Sequence, residues 1–419
     1  MEALRKAVWK SPMVDSHEHM ARESVYADGN NDILSDIFNG YIPMDLISAG
    51  ATYDQIGELL NGSGERITER FQAIQPFWES SKFSGYGEAV REAASLIYGI
   101  DNIEADSLEK AQEDKGNRDR HGERLRLLKD VALIDHCQVD DMVLPALPDA
   151  EDPEFFKYDL TWWRFSDASF DPKEISELTN TDIIDLASLR RAFDALFDSA
   201  PHVVAVKSQH AYTRTLAWEK RSDSEAAAIL GRKLRGETLS SDESVILGDW
   251  CLGEGVKRAT DRDLPFKLHT GYLAHNNNMI LENARVSRIC PLLKEYLNTR
   301  FVLMHIASAF ESELLAIVRH YPKAVVDMCW AWAINPFTAK DFVRRYLRQV
   351  PVNKLLGFGG DCGNPVNALV YSRQARRGLF DTFKAEIEDG FLTEAEAISI
   401  SERFMRKNAY EIFPSLTFQ

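Results

Sequence analysis

Met13–Met20 reads MVDSHEHM, a short apolar run that ends in a His-x-His pair, and the fold turns on whether that arrangement recurs. It does, in Val203–His210 (VVAVKSQH), Leu264–Thr270 (LPFKLHT), Phe301–Ser308 (FVLMHIAS) and Leu356–Pro365 (LGFGGDCGNP). Each is an apolar run closed by a polar residue able to hold or face a metal, in the chain order His-x-His, Lys, His, His, Asp. A parallel barrel presents the C-terminal ends of its strands around one mouth, so residues far apart in sequence can converge there on one ion.

Working outward, strands are expected near Met13–Asp15, Val131–Asp135, Tyr158–Arg164, Val203–Lys207, Pro265–His269, Phe301–His305, Ala324–Met328 and Leu355–Asp361. Most are too apolar to have a wet face. Amphipathic stretches separate the later ones: Ser241–Arg258, with a Ser240/Glu243 capping box, then Asn283–Asn298, Ala309–His320 and Thr338–Gln349. Buried strands alternating with helices imply a parallel sheet covered by helices, and eight strands predict a closed (β/α)8 barrel of the TIM type. Between the first two strands, about residues 28–129, the pattern is helical instead: Ile67, Phe71, Ile74 and Trp78 fall at helical spacing, as do Val90, Ala93, Ala94, Ile97 and Tyr98. This large insertion follows the first strand and is expected to emerge over the barrel mouth, or over a neighbouring subunit's. Its tail, Asp101–Lys129, is densely charged, as a solvated helix face would be. Residues 368–413 read as helical. The whole of 1–419 is read as one elaborated barrel domain.

The composition fits that size. With 45% hydrophobic and 27% charged residues the chain is globular. Its net charge of −16 and the lack of a long basic block make nucleic acid an unsuitable partner. The five cysteines are scattered, without a CxxC pair, as in proteins that keep reduced thiols. No apolar run approaches the ~20 residues of a membrane span, and the first residues lack a signal-peptide core. A cytoplasmic protein without membrane contact is expected, its oligomeric state left open, homo-oligomer included.

One histidine at a strand end is ordinarily a hydrogen-bonded structural residue. Four of them (His17, His19, His269, His305) together with Asp361, all at predicted strand ends, point to a divalent metal, with imidazole and carboxylate donors suiting zinc first and manganese as the alternative. Of the other histidines, only His210 and His275 fall in loops that could reach the mouth.

These segments resemble the amidohydrolase superfamily of metal-dependent barrel enzymes, over nearly the whole chain outside the insertion. A nearer likeness, carried by KSQHAYTRTL (Lys207–Leu216), KLHTGY (Lys267–Tyr272), ASLIYGI (Ala94–Ile100) and the insertion, is to the amidohydrolase domain fused to glutamine synthetase in some proteins. Uronate isomerases are similar through the insertion and the opening His-x-His. The resemblance implies that His17, His19, His269 and Asp361 ligate metal, that Asp361 moves a proton, and that His305 completes the metal shell or donates to the developing oxyanion. Lys207 stands where two-metal members carry a carbamylated lysine, and where an unmodified ammonium would instead bind an anionic substrate; substrate binding with one metal is the reading adopted.

Arg164, Tyr212 and Arg214 are candidates for holding the rest of a small acidic substrate, because guanidinium pairs bidentately with carboxylate. Tyr272 could assist, and Trp330 and Trp332 could wall the pocket or simply fill the core. The activity expected is hydrolysis of an amide or related C–N bond in a small carboxylate-bearing molecule by metal-activated water. The alternative is a lyase or isomerase of the same superfamily, decarboxylase or uronate-isomerase-like. A silent scaffold is the third reading, disfavoured by the intact donor set.

Overall fold

The computed structural model describes residues 1–28, 32–62, 64–115 and 121–416. Eight parallel strands run in chain order around one sheet: β1 Met13–Glu18, β2 Ile134–Val139, β3 Phe156–Thr161, β4 Ala205–Ser208, β5 Phe266–Leu268, β6 Phe301–Leu303, β7 Ala324–Asp327 and β8 Leu355–Leu356. Beyond β8 the chain continues against β1. Ser16 N donates to Phe358 O (3.0 Å), Asp361 N to His17 O (3.0 Å) and His19 N to Cys362 O (3.1 Å). These bonds complete the (β/α)8 barrel that the alternation predicts.

All eight strands fall near their expected places, with shifts. β2 begins later than Val131, because Arg126–Val131 is a π-helical turn that extends the preceding helix. β3 ends at Thr161, and Arg164 lies beyond it in the short helix Trp163–Ser166. The helices obey local chemistry. Ser240 and Glu243 form the expected capping box of Ser241–Asp261, and Asn335 and Asn364 cap helices that start with Pro336 and Pro365, the position where proline's missing N–H costs nothing. Residues 283–298 differ from expectation: the turn Val286–Ile289 and the short helix Cys290–Glu295 replace one long helix.

Between β1 and β2 the described residues are helical, with Ile67–Ser81 and Gly85–Tyr98 the longest helices; part of the charged tail, 116–120, lies outside the described residues. This segment packs on the face where the strands end. The Tyr41 hydroxyl donates to the Asp361 carbonyl, Asn367 Nδ2 to Asn39 O (2.9 Å), and Asn276 Nδ2, from the loop after β5, to Met44 O (3.0 Å). Its position on the mouth of this same chain matches the expectation. Among the described residues no helix is long and apolar enough to cross a membrane, and all five cysteines are free.

At the opposite end, Arg376 of the long helix Pro365–Glu388 is buried and donates to four backbone carbonyls, those of Val8 (2.5 Å), Ser11 (2.9 Å), Ala132 (3.0 Å) and Leu133 (3.2 Å). It ties the first helix, Glu2–Lys10, and the entry to β2 to this long helix. Burial, with no carboxylate among these partners, lowers its pKa to about 10. Removing the guanidinium strands buried acceptors, so Arg376→Leu should lose about 1–3 kcal/mol of stability, measured as a lower urea midpoint at unchanged slope.

Candidate metal centre

Parallel pairing brings the ends of β1, β4, β5, β6 and β8 to one place. Asp361 stands at the centre. Its Oδ1 lies 3.3 Å from His17 Nε2 and 3.4 Å from His19 Nε2, and its Oδ2 lies 3.8 Å from His305 Nε2. His269 Nδ1 is 2.9 Å from His305 Nε2, and Lys207 Nζ is 3.0 Å from His17 Nε2. Thus His17, His19, His269, His305, Asp361 and Lys207 are brought together.

The outer nitrogen of three of these rings faces a backbone carbonyl. His19 Nδ1 meets Asp140 O (2.6 Å), His305 Nδ1 meets Cys329 O (3.1 Å) and His269 Nε2 meets Tyr272 O (2.8 Å). A carbonyl only accepts, so each of those nitrogens carries the hydrogen, and the inner nitrogen of the neutral ring presents a lone pair. His17 differs: its buried Nδ1 makes no hydrogen bond, the Asp159 carboxylate standing 3.9 Å away. The consequence is a conflict at one pair, where the lone pairs of His269 and His305 face each other at 2.9 Å, while His17 Nε2 faces both the Asp361 carboxylate and the Lys207 ammonium and His19 Nε2 faces Asp361. Acceptors converging on acceptors require a cation among them, and an outer N–H held by carbonyl or carboxylate is how metal-binding histidines are oriented. The donor set therefore fits a divalent metal.

The ionisation pattern agrees. Burial, reinforced by the Lys207 charge, lowers the His17 pKa; burial and then His305 push His269 well below its ordinary value; burial takes His305 to about 3. Against its own burial, Asp361 is held well below the carboxylate range by His305, His17 and His19. His19 is opposed by burial yet lifted by Asp361.

Backbone conformation at the site is unusual. Asp361 has φ +56°, His305, Ile306 and Ala307 have φ +63°, +48° and +49°, and Trp330 has φ +63°, left-handed values that cost non-glycine residues about 1–3 kcal/mol each and cluster at functional sites. Glycines allow the approach: a Cβ on Gly360 would lie 2.0 Å from Glu18 Oε1, and one on Gly359 2.8 Å from Ser16 Oγ.

Two groups in this region could each hold an ion with ligand atoms within 4.8 Å of one another, namely His17/His19/Asp361 and His305/Cys329/Asp361. Cys329 went unnoticed in the sequence, although it follows the apolar run of β7 just as the histidines follow theirs. Tyr41 was also missed, and no local pattern in the insertion marks it. Its ring stacks on Trp330 at 4.4 Å, and Trp330 in turn meets the His305 ring edge-on at 5.6 Å and Tyr272 at 5.5 Å. Tyr212 lies against His269 at 4.9 Å. The mouth is thus walled by Tyr41, Tyr212, Tyr272 and Trp330, whereas Trp332 is core, its Nε1 donating to Gly357 O.

The two arginines do not join the cluster's hydrogen bonds. Arg164 is engaged bidentately by Glu174 at 2.9 and 2.6 Å. Arg214 is buried against Asp249 (3.0 Å) and the carbonyls of Ser166 and Ala217. Their charges are already neutralised inside the fold, which corrects the reading of either as a free carboxylate clamp. His210 is fully buried with Nδ1 on Ser208 Oγ, and His275 is exposed.

The profile of the amidohydrolase family Amidohydro_2 matches residues 205–414, about half of the chain, which places this protein in that family. No curated protein matches the chain. Among solved structures, uronate isomerase from Thermotoga maritima is similar with a TM-score of 0.77 at 16% identity, covering 98% of this chain and 96% of that one. Glucuronate isomerase from Caulobacter crescentus gives 0.78 at 15% identity, covering 100% and 94%. Uronate isomerase from Bacillus halodurans gives 0.68 at 16%, covering 99% and 96%. At such identities the likeness is one of fold, helices between β1 and β2 included.

A pH dependence follows for the metal-free protein. His17, His269 and His305 have folded pKa values below that of a free imidazole, about 6.5. The unfolded chain therefore binds more protons than the folded one as pH falls below that value, and stability drops with it. The raised His19 and the raised buried acids Asp15, Asp327 and Glu18 act in the opposite direction, so the effect of one histidine is read as a difference between two proteins. Between pH 7 and pH 5 the Tm of chelator-treated wild type should therefore fall relative to that of His305→Gln; a difference that does not change with pH would contradict the assigned ionisation of His305.

Proposed function

We propose that this chain is a metal-dependent hydrolase acting on an amide or related C–N bond of a small carboxylate-bearing molecule. The observation that carries the reading is the gathering of His17, His19 and His305 around Asp361, with His269 set ring nitrogen to ring nitrogen against His305, an arrangement that a cation would satisfy. His17, His19, His269 and Asp361 are the proposed ligands, zinc the proposed ion and manganese the alternative. When bound, such an ion polarises a carbonyl and makes water a stronger acid.

The chain's own residues do the rest. Asp361 accepts a proton from the attacking water and delivers it to the leaving nitrogen, the task of a general acid–base. Tyr41, hydrogen-bonded to the Asp361 carbonyl, fixes the strained turn that aims this carboxylate. His305 keeps its Nε2 toward the reacting centre because Cys329 O holds Nδ1–H, and it completes the metal shell, the alternative role being donation to the developing oxyanion. Lys207 receives the substrate's carboxylate, and Tyr212, Tyr272 and Trp330 exclude water around its body. Residues 1–419 are proposed to act as one unit, the helices of 28–129 forming one wall of the mouth.

A second reading, a lyase or isomerase reaction at the same centre, is favoured by the full-length fold likeness to the uronate isomerases named above. Product analysis on a panel of N-acyl and γ-glutamyl amides, uronic acids and aromatic acids separates the two: release of an amine supports hydrolysis, whereas interconversion of uronic acids or loss of carbon dioxide supports the second.

Two outcomes are expected. Purified protein should carry about one equivalent of zinc or manganese, strongly reduced by His17→Ala or His269→Ala, since losing one ligand of four opens the shell; full occupancy in both variants would defeat the ligand assignment. On protein shown to be metal-loaded, Asp361→Asn should lower turnover about 10²–10⁴-fold, and wild-type turnover in that variant would remove Asp361 from proton transfer.

A further inference from the structure

Two buried lysines sit side by side on neighbouring strands, Lys207 of β4 in register with Lys267 of β5, and the fold treats them oppositely. Lys267 is paired: its Nζ donates to both oxygens of Asp159 (2.7 and 3.1 Å) and to the Ser16 carbonyl (2.8 Å). Lys207 has no carboxylate partner among the described residues. Its Nζ meets His17 Nε2 at 3.0 Å and, more distantly, Gln209 Oε1 at 3.5 Å. A buried ammonium without a counter-ion costs several kcal/mol, and Asp159, on the other side of His17, is already taken by Lys267.

The partner Lys207 does have is the wrong one to keep. His17 Nε2 is one of the lone pairs directed at Asp361, so an ion that binds there must displace the ammonium, and the two positive groups then stand in the same closed space. Among the described residues the carboxylate in contact with this histidine cluster on its inner side is Asp361, a single charge. Such a site is short of negative charge, and a small organic anion supplies it.

We propose that Lys207 couples the metal to the acid: the substrate's carboxylate gives Lys207 the counter-ion the fold withholds and leaves His17 Nε2 to the metal, so each ligand strengthens binding of the other. The inference rests on the metal reading above and adds that the acid group is a condition of full metal affinity. By linkage the coupling is reciprocal, and effects of this kind lie commonly between about 5-fold and 150-fold. The rival state of Lys207, a carbamate formed with carbon dioxide, carries negative charge and would abolish the need for an anion.

The test measures zinc affinity, independent of turnover. Full-length protein is stripped with a chelator, and zinc is titrated against a chromophoric competitor in the presence of acetate, of acetamide as its uncharged isostere, or of neither. In the wild type, acetate should tighten zinc binding about tenfold and acetamide should leave it unchanged. Lys207→Met and Lys207→Gln, two variants so that one misfolded protein does not decide the matter, should bind zinc more tightly than wild type without acetate and show no acetate effect. Equal zinc affinity with acetate and acetamide in the wild type would overturn the coupling, as would an acetate effect that survives in both variants. So would zinc binding tightened by bicarbonate beyond acetate in the wild type alone, the mark of a carbamate. A protein that binds no zinc or manganese under any condition would instead overturn the metal reading itself.

Discussion

The seam between the first and last strands is the constraint on which this molecule depends. β8 is only two residues long, and closure is achieved by the stretch after it, whose amides and carbonyls pair with Ser16, His17 and His19. The residues that shut the barrel are therefore the residues that build the centre. Asp361 donates its own backbone N–H to the His17 carbonyl while its carboxylate lies between the His17 and His19 rings. Gly359 and Gly360 are required because any side chain there would strike Ser16 or Glu18. Stability at the seam and geometry at the site are one requirement.

Beneath the centre the barrel holds a second layer of charge. Asp159 and Lys267 neutralise each other across β3 and β5. Burial lifts Asp15 and Asp327 to about 7 and raises Glu18 well above its ordinary value. Glu18 accepts the Cys362 amide (2.5 Å) and Asp327 accepts the Ser16 hydroxyl (2.8 Å), so these acids serve the seam by holding backbone and side-chain donors of both partners. A fully buried ionised cluster of this size would be costly; raised pKa values let it persist partly neutral.

Much of this was legible in the sequence, for a physical reason. Buried parallel strands are unbroken apolar runs, and a polar residue closing such a run can only lie at the mouth; that is how His17, His19, His269, His305, Asp361 and Lys207 were found. The same rule would have reached Cys329, had thiols been weighed beside imidazoles. Tyr41 was hidden because its role depends on how the insertion folds back over the mouth, a tertiary fact without local periodicity. Arg164 and Arg214 misled for the converse reason: a sequence displays a guanidinium but not the Glu174 or Asp249 that already holds it. Boundaries slipped where local structure overrode composition, as at Arg126–Val131, whose apolar residues serve a π-turn instead of β2.

Because the centre draws on both the opening and the closing stretches of the chain, it has an order of assembly in time. A polypeptide emerging from the ribosome displays His17 and His19 of the centre before β2 is made, and His269 and His305 only after β4 and β5. The carboxylate that gathers them comes later still, followed by the long helix that fastens the first helix in place. Until then the imidazoles have no common target, and the halves of the seam are exposed strand edges open to wrong partners. Loading of the centre thus waits for the stretch after β8, and its success reports that the two sides of the seam have found each other.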